Sequence, residues 1–173
     1  DGLGVLVLQL AQHEGGVLIE LKRVNLIRER MKAWREQGWP GVSRTTAQDV
    51  RQKMGAPNQE WRNEDGSVTW EYSRQPEGVE CYMATIGPDQ ILRGMEQVLT
   101  EANFARIQPG MTPQEVQRRL GKPARKEFFE RKQEHVWSWL TDRRMPGQKV
   151  YFTVTFNPDG RVTGSGPYTE QYN

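Results

Sequence analysis

Residues 107–123 read IQPGMTPQEVQRRLGKP, and almost every position in this stretch specifies part of a short helix. Thr112 can cap the helix with its hydroxyl, and Pro113 suits the first helical position, where no amide donor is needed. Glu115 follows the cap by three residues and can bond back to it, which completes a capping box. A glycine and a proline then end the helix. The stretch therefore predicts a two-turn helix with defined ends.

The same pattern occurs earlier in the chain. Residues 46–57 read TAQDVRQKMGAP and match residues 112–123, TPQEVQRRLGKP, position by position. An internal repeat means that one structural unit has to account for most of the chain. The positions that we expect to determine the fold are Thr46, Val50, Gly55 and Pro57 in the first copy, and Gly110, Thr112, Val116, Gly121 and Pro123 in and before the second.

Alternating segments separated by turn residues follow each of these helices. Trp70 and Tyr72 alternate with polar residues in the first copy, and Trp137 and Trp139 do so in the second. Such alternation leaves only one face of a sheet apolar, so helices have to cover that face. The sequence predicts an α+β fold of two tandem repeats, each a helix-loop-helix packed on one face of an antiparallel sheet of about four strands.

The predicted organisation has three parts. Residues 1–17 form an N-terminal arm, for which a strand pair and an extraneous, poorly ordered segment are both open interpretations. Residues 18–99 form the first repeat, including a basic helix near its start, and residues 100–173 form the second. We expect the last residues, 169–173, to be a short polar tail.

The composition offers little for catalysis. The chain has two histidines and one cysteine, so it has no intrachain disulfide, and its redox compartment cannot be inferred from cysteine usage. A pair of Cys81 and His135 is the one conceivable nucleophilic arrangement, and two structural side chains are the simpler interpretation. No two potential ligands have a recognisable metal-binding spacing. We therefore predict neither enzymatic activity nor a cofactor or metal.

The basic helix has two interpretations. Its charges can be solvated while its apolar stripe packs on the first sheet, or they can face the anionic headgroups of a lipid surface. Residues 2–11 are apolar but too short to span a bilayer, and no basic segment precedes them as in a signal peptide. The residues that would face a membrane surface are Lys22, Arg23, Arg28, Lys32 and Arg35.

The alternation also predicts a partner-binding surface. Residues that point away from the helices would form an open sheet face that is more apolar than solvation requires. The alternative is that the two sheets, or the N-terminal arm, cover one another. The predicted partner-binding residues are Met83, Arg93, Val136, Leu140, Tyr151, Thr153 and Arg161.

Nucleic-acid binding is a more remote alternative. Basic residues cluster around the end of the second repeat helix, and the net charge is +2 with a pI near 8.8. The aromatic residues nearby follow the apolar alternation, which is typical of a core rather than of a base-stacking platform. The cluster comprises Arg118, Arg119, Lys122, Arg125 and Lys126.

The motif GMTPQEVQRRLGKP, followed by WSW and VTFNPDGRV, resembles the SmpA/OmlA (BamE-like) domain of small outer-membrane lipoproteins. The resemblance covers residues 104–162 well and residues 42–99 more weakly. It implies a non-enzymatic periplasmic protein that binds protein partners, such as outer-membrane barrel-assembly components, in membrane-protein assembly or envelope integrity. The oligomeric state stays open. Since Cys81 falls in a predicted strand, the lipid anchor that this family carries would have to lie upstream of Asp1.

The tandem arrangement is also similar to the architecture of the β-lactamase inhibitory protein, whose two repeats form a concave binding surface. That similarity implies an alternative function, a binder or inhibitor of an enzyme.

Overall fold

The computed structural model describes residues 45–172 together with Glu29. The chain divides into two compact units, Asp1–Val42 and Ser43–Asn173, and the second contains all the elements described below. The predicted N-terminal arm and, apart from Glu29, the basic helix lie outside the described residues. The predicted membrane-surface positions therefore stay a prediction: Lys22, Arg23, Arg28, Lys32 and Arg35.

The described part of the chain contains two meanders, each preceded by helix. In chain order the first half comprises α1 (Ala47–Met54), β1 (Gln59–Arg62), β2 (Val68–Ser73), β3 (Cys81–Ile86) and β4 (Leu92–Gln97). The second half comprises α2 (Glu101–Phe104), α3 (Pro113–Leu120), β5 (Arg125–Phe129), β6 (Glu134–Asp142), β7 (Gln148–Phe156) and β8 (Val162–Gln171).

Each sheet is antiparallel and has four strands in sequence order, β1-β2-β3-β4 and β5-β6-β7-β8. The predicted α+β class with two such sheets is confirmed. The second half has a helix, a loop and a second helix before its sheet, whereas the described residues supply only α1 before the first sheet. A helix-loop-helix in both halves is therefore not established.

Both long helices begin with a capping box. The Thr46 hydroxyl accepts a hydrogen bond from the amide of Asp49, whose carboxylate accepts one from the amide of Thr46. Thr112 and Glu115 make the same exchange at the start of α3. These local bonds satisfy amides that the helix itself leaves without partners.

The glycines that end the helices have a positive φ but not the ψ of a left-handed helical residue. Gly55 has φ 81° and ψ −167°, and Gly121 has φ 76° and ψ −170°. The positive φ favours glycine, but the extended ψ directs the chain away from the helix axis and into the first strand of each sheet.

The predicted polar tail is wrong in part, because residues 169–171 belong to β8. That strand pairs with β7 over its whole length, from Phe156↔Val162 to Gln148↔Gln171. Backbone hydrogen bonds to a long neighbour hold an edge strand in place whatever its side-chain polarity, so composition alone does not reveal it.

The inner face of each sheet packs on its own helix. In the first half Trp70, Tyr72 and Ala84 are buried with Val50 of α1, and the Tyr72 hydroxyl donates to the carbonyl of Gly55 at 3.0 Å. In the second half the inner-face residues form a core with α3, and this core comprises Trp139, Phe152, Val154 and Phe156 together with Val116 and Leu120.

The other face of the first sheet packs against the second half. Cys81 and Met83 on that face belong to the same core cluster as α3 and the second sheet. The Glu71 carboxylate is fully buried, where it accepts hydrogen bonds from the amide of Lys122 at 2.6 Å and from Nε1 of Trp61 at 3.2 Å. We call this contact between the two halves the seam.

Two more side chains extend the seam, one from the last residue of β2 and one from two residues after it. The Ser73 hydroxyl donates to the carbonyl of Lys122 at 3.1 Å. The carboxamide of Gln75 donates to the carbonyl of Leu140 at 2.8 Å and accepts from its amide at 2.7 Å. The Gln75 side chain therefore bonds to the edge of β6 as a neighbouring strand would. Buried polar groups with partners of this kind stabilise a specific orientation of the two halves.

The seam predicts different effects for one substitution at two similar glycines. A Cβ on Gly121 would collide with Sγ of Cys81 and approach the Glu71 carboxylate, whereas nothing lies within 4 Å of a Cβ on Gly55. Both positions have nearly the same backbone conformation. Gly55→Ala should cost about 1–3 kcal/mol from backbone strain alone. Gly121→Ala should cost about 1–3 kcal/mol more, because the seam has to open.

Urea unfolding followed by tryptophan fluorescence measures both changes in the free energy of unfolding. Equal losses for the two variants would contradict the close contact between Gly121 and Cys81.

Burial of Glu71 also predicts a pH effect. Burial raises the pKa of this carboxyl above its usual value of 4.5, although the hydrogen bonds from Lys122 and Trp61 oppose the rise. The folded state therefore binds the proton more tightly than the unfolded state. The contribution of Glu71 to stability is fully present below pH 4.5 and is lost as the pH rises through the folded-state pKa. In Glu71→Gln this loss should be absent, so the free energy of unfolding should fall less steeply toward neutral pH.

The measurement is the slope of that free energy against pH for the wild type and the variant. Identical slopes for the wild type and Glu71→Gln would contradict the shift.

Candidate protein-binding surface

The predicted open face is largely covered, and this is the main correction to the sequence-based site. Met83, Leu140 and Tyr151 are 7%, 2% and 6% exposed. Met83 is buried because its face of the first sheet packs at the seam. Leu140 is hydrogen-bonded to Gln75 through its backbone. These three residues cannot contact a partner without rearrangement of the fold.

The other four predicted residues do not form one surface. Val136 and Thr153 are half-buried on the second sheet. Arg93 is exposed on β4, where it pairs with Asp89 at 2.7 Å. Arg161 lies in the turn before β8 and donates to the carbonyl of Gly110 at 3.1 Å. Only Val136 and Thr153 share a face.

That face is the side of the second sheet opposite α3, and strand register defines its residues. Successive strands place side chains opposite one another in three rows. The rows are Glu127–Val136–Thr155–Gly164, Arg125–Ser138–Thr153–Gly166 and Leu140–Tyr151–Tyr168.

Arg125 covers the middle of this face. Its guanidinium lies 4.5 Å from the centre of the Tyr151 ring and donates to the Glu170 carboxylate at 3.0 Å. The side chain thus reaches from β5 across the sheet to β8, and it accounts for the burial of a tyrosine on the outer face. Burial, together with the negative charge of Glu170, raises the pKa of Tyr151. The phenol therefore stays protonated at neutral pH.

The rest of the face is partly exposed, except for Ser138 and Leu140, which are buried. Phe129 is 48% exposed at one corner and Tyr168 is 50% exposed at the other. Between them the two glycines of β8 contribute no side chains, and they lie opposite Thr153 and Thr155 of β7. We call this surface the outer-face strip, and it comprises Phe129, Val136, Thr155, Gly164, Gly166 and Tyr168.

Sequence reasoning missed Phe129 and Tyr168 for different reasons. Phe129 follows Phe128 in an edge strand, and two adjacent phenylalanines do not reveal which one faces the core. Tyr168 was missed because the fourth strand was predicted only as part of a sheet of about four strands, without residue bounds. Period-two spacing of Gly164, Gly166 and Tyr168 after the turn at Gly160 is the signal that would have placed its residues.

A groove of about 560 Å³ lies on the inner side of the second sheet, next to α2. Its floor contains the rings of Phe104 and Phe152, which stack with centroids 4.1 Å apart. Glu101 and Asp142 lie at its lining, and Asp142 is hydrogen-bonded to Arg144. The groove combines apolar surface with polar groups.

The conceivable nucleophilic pair is not assembled. Cys81 is fully buried beside Gly121, and burial raises the pKa of its thiol well above the ordinary value. His135 lies at the start of β6 and packs on the ring of Phe128, with centroids 4.6 Å apart. Within residues 45–172 no group of His, Cys, Asp and Glu side chains could hold a metal ion.

The basic cluster proposed for nucleic acid is divided among separate contacts. Arg118 donates to the carbonyl of Arg62 at 2.6 Å, and Arg125 pairs with Glu170. The ammonium of Lys126 lies 4.0 Å from the centre of the Trp137 ring. These interactions engage three of the five side chains within the protein. In the part of the chain that the structure describes, no helix is long and apolar enough to cross a membrane.

Comparison with protein families agrees with the resemblance in the second half. Residues 96–166 match the family model of the outer membrane protein assembly factor BamE domain. The matched segment contains α2, α3, β5, β6 and β7 and the first half of β8, so it includes most of the outer-face strip. It covers less than half of the chain.

Two solved structures are similar at low identity. One is a candidate beta-lactamase inhibitor protein from Streptococcus mutans, with 11% identity, a TM-score of 0.29, and coverage of 72% of this chain and 82% of that chain. The other is a DUF4309 family protein from Bacillus subtilis subsp. subtilis strain 168, with 14% identity, a TM-score of 0.29, and coverage of 76% and 84%. At this TM-score neither likeness carries an argument about fold or function. Comparison with curated proteins gives no match.

The Arg125 contact predicts which side chain becomes accessible when it is removed. Arg125→Ala should uncover Tyr151 and lower the free energy of unfolding by about 1 kcal/mol, through loss of the cation–π contact and of the packing of the aliphatic stem. Hydroxyl-radical footprinting should then show increased oxidation of Tyr151 but not of Tyr168. Lys126→Ala, which changes the next residue on the opposite face, should leave Tyr151 protected. Unchanged protection in Arg125→Ala would contradict the proposed cover.

Proposed function

We propose that this protein is a non-enzymatic accessory factor of the bacterial periplasm that binds protein partners in outer-membrane protein assembly or envelope integrity. The observation that carries the proposal is the BamE-domain match over residues 96–166. That segment contains both helices and three strands of the second half together with part of β8, and the outer face of this sheet is not covered by these helices.

The chemistry of the outer-face strip supports protein binding. Two half-exposed aromatic rings, Phe129 and Tyr168, border a surface of threonines and glycines. Aromatic residues are enriched at protein interfaces because they bury a large area at a low cost in side-chain entropy. The glycines allow a partner's backbone or side chains to approach the sheet closely. The outer-face strip replaces the predicted open face as the proposed binding surface, and Val136 belongs to both.

Localisation follows from the same proposal. A factor of this kind would lie at the inner surface of the outer membrane, held by a lipid at the N-terminus. The basic residues between positions 22 and 35 would then lie near anionic headgroups, which attract each such charge by about 1 kcal/mol.

We also propose that the two halves are copies of one unit. Each half has a helix with a capping box, a glycine of positive φ after it and a four-stranded meander. The boundary expected at residues 99–100 falls between β4 and α2. The second half would then bind a partner through the outer face of its sheet, while the first half uses the equivalent face at the seam. In the first half, duplication would have turned a binding face into an internal contact.

The experiment is affinity capture from an envelope extract with the complete chain and with Phe129→Ala/Tyr168→Ala. Both rings are exposed, so the double variant should fold normally while its capture of barrel-assembly components falls by roughly tenfold or more. Met145→Ala, which removes another exposed apolar side chain at 63% exposure, is the matched control and should capture normally.

Equal capture by the double variant and the wild type would contradict the assignment of the strip. Capture of a single hydrolase in place of assembly components would favour the alternative, an enzyme-binding or inhibitory protein.

A further inference from the structure

Four strands lie at sheet edges in the described part of the chain, and three of these edges are obstructed. Arg118 donates to the carbonyl of Arg62 on β1. The amide of Leu92 on β4 donates to the carbonyl of Thr45 at 2.8 Å. Pro167 removes a backbone donor from β8. Obstructions of this kind prevent edge strands from pairing with other chains. Strand β5 has no backbone partner on its outer edge within residues 45–172.

The seam identifies which backbone groups of β5 face outward. Gln75 bonds to the amide and carbonyl of Leu140 in β6. These groups are directed to the same side of β6 on which β5 pairs with residues 134–138. Backbone direction alternates along a strand, so Ser138 and Val136 also direct their amides and carbonyls toward β5. Their partners in β5 are Arg125 and Glu127. The amides and carbonyls of the intervening residues, Lys126 and Phe128, are therefore directed to the open edge.

The side chains along this edge form a self-complementary pattern. Phe128 is 47% exposed, and its ring is supported from behind by His135. Two residues before it is Lys126, and two residues after it is Glu130, both exposed. A cation and an anion placed symmetrically about an apolar residue match an antiparallel copy of the same sequence.

Charge disfavours two of the registers that such pairing allows. Lys126 and Phe128 have the outward backbone groups, and hydrogen bonds form only where outward residues of the two copies lie opposite each other. The two-fold axis that relates the copies must therefore pass through a residue that lies opposite its own equivalent in the other copy. An axis at Lys126 places two lysines opposite each other, and an axis at Glu127 places two glutamates opposite each other. Both registers are unfavourable because like charges repel. An axis at Phe128 pairs the two phenylalanines and places Lys126 opposite Glu130 on both sides.

We propose that β5 is a self-association site, at which a second copy of this chain adds its own β5 in antiparallel register about Phe128. The amide and carbonyl of Phe128 exchange hydrogen bonds with those of the other copy, and the carbonyl of Lys126 accepts from the amide of the other Glu130. The two four-stranded sheets then form one continuous eight-stranded sheet. Since the paired segment is short, the dissociation constant should be on the order of 0.1 mM.

A cysteine cross-link tests the register directly. The single cysteine of the chain, Cys81, is fully buried, so an introduced thiol is the one available for reaction. In the proposed register two copies of residue 128 have their Cα atoms about 5.5 Å apart, within the range of a disulfide. Two copies of residue 127 are about 8 Å apart, beyond that range. Mild oxidation should therefore give covalent dimers of Phe128→Cys but not of Glu127→Cys or of Thr169→Cys on the edge of β8.

A charge exchange tests the same contact without cross-linking. In sedimentation velocity over a concentration series, Lys126→Glu and Glu130→Lys should each raise the dimer dissociation constant about tenfold, because like charges then face each other. The double variant Lys126→Glu/Glu130→Lys should return to the wild-type value. Arg119→Glu, an exposed change of equal charge on α3, should have no effect, and circular dichroism should show that all variants are folded.

Three outcomes would overturn the proposal. One is a wild-type chain that remains monomeric up to about 1 mM, an order of magnitude above the expected constant. Another is dimerisation that the charge exchanges leave unchanged. The third is cross-linking of Glu127→Cys in preference to Phe128→Cys.

Discussion

The hydrogen bond from the Lys122 amide to the buried Glu71 carboxylate determines how the two halves fit together. A carboxylate without exposed surface is costly unless its oxygens have donors, and the two that it finds come from the end of α3 and from Trp61 on β1. The Lys122 amide is available because Gly121 has a positive φ and turns the chain out of the helix. The absence of a side chain on Gly121 in turn lets Cys81 and Glu71 approach the backbone. Gly121 thus ends α3 and also allows the first sheet to pack closely against the end of that helix.

This contact decides which surfaces remain for function. The face of the first sheet opposite α1 is consumed at the seam, together with the polar side chains of Glu71, Ser73 and Gln75. The equivalent face of the second sheet has no such partner among residues 45–172, except for the reach of Arg125 across it. Within residues 45–172, the surfaces that remain for function are therefore the outer-face strip and the open edge of β5, both on the second half. The BamE-domain match lies in this half as well.

The sequence predicts those parts of the structure that depend on neighbours along the chain. The capping boxes, the strand alternation around Trp70 and Trp137, and the sheet turns all follow from local residue chemistry. The seam depends instead on residues about fifty positions apart, such as Glu71 and Lys122. A polar residue at every second position of β2 indicates a solvent-facing side, and only the folded chain reveals that these polar groups have buried partners. The same limit applies to Tyr151, whose burial depends on a guanidinium from another strand and a carboxylate near the end of the chain.

Native-state hydrogen exchange tests most directly whether the seam joins the two halves into one cooperative structure. Amides of β3 in the first sheet and of β7 in the second occupy central strands and are protected by ladders on both sides. If the seam couples the halves, the most protected amides of both strands should exchange with the same opening free energy, equal to that of global unfolding. Exchange from β3 at a clearly lower opening free energy than from β7 would mean that the first half unfolds alone, which would contradict the account.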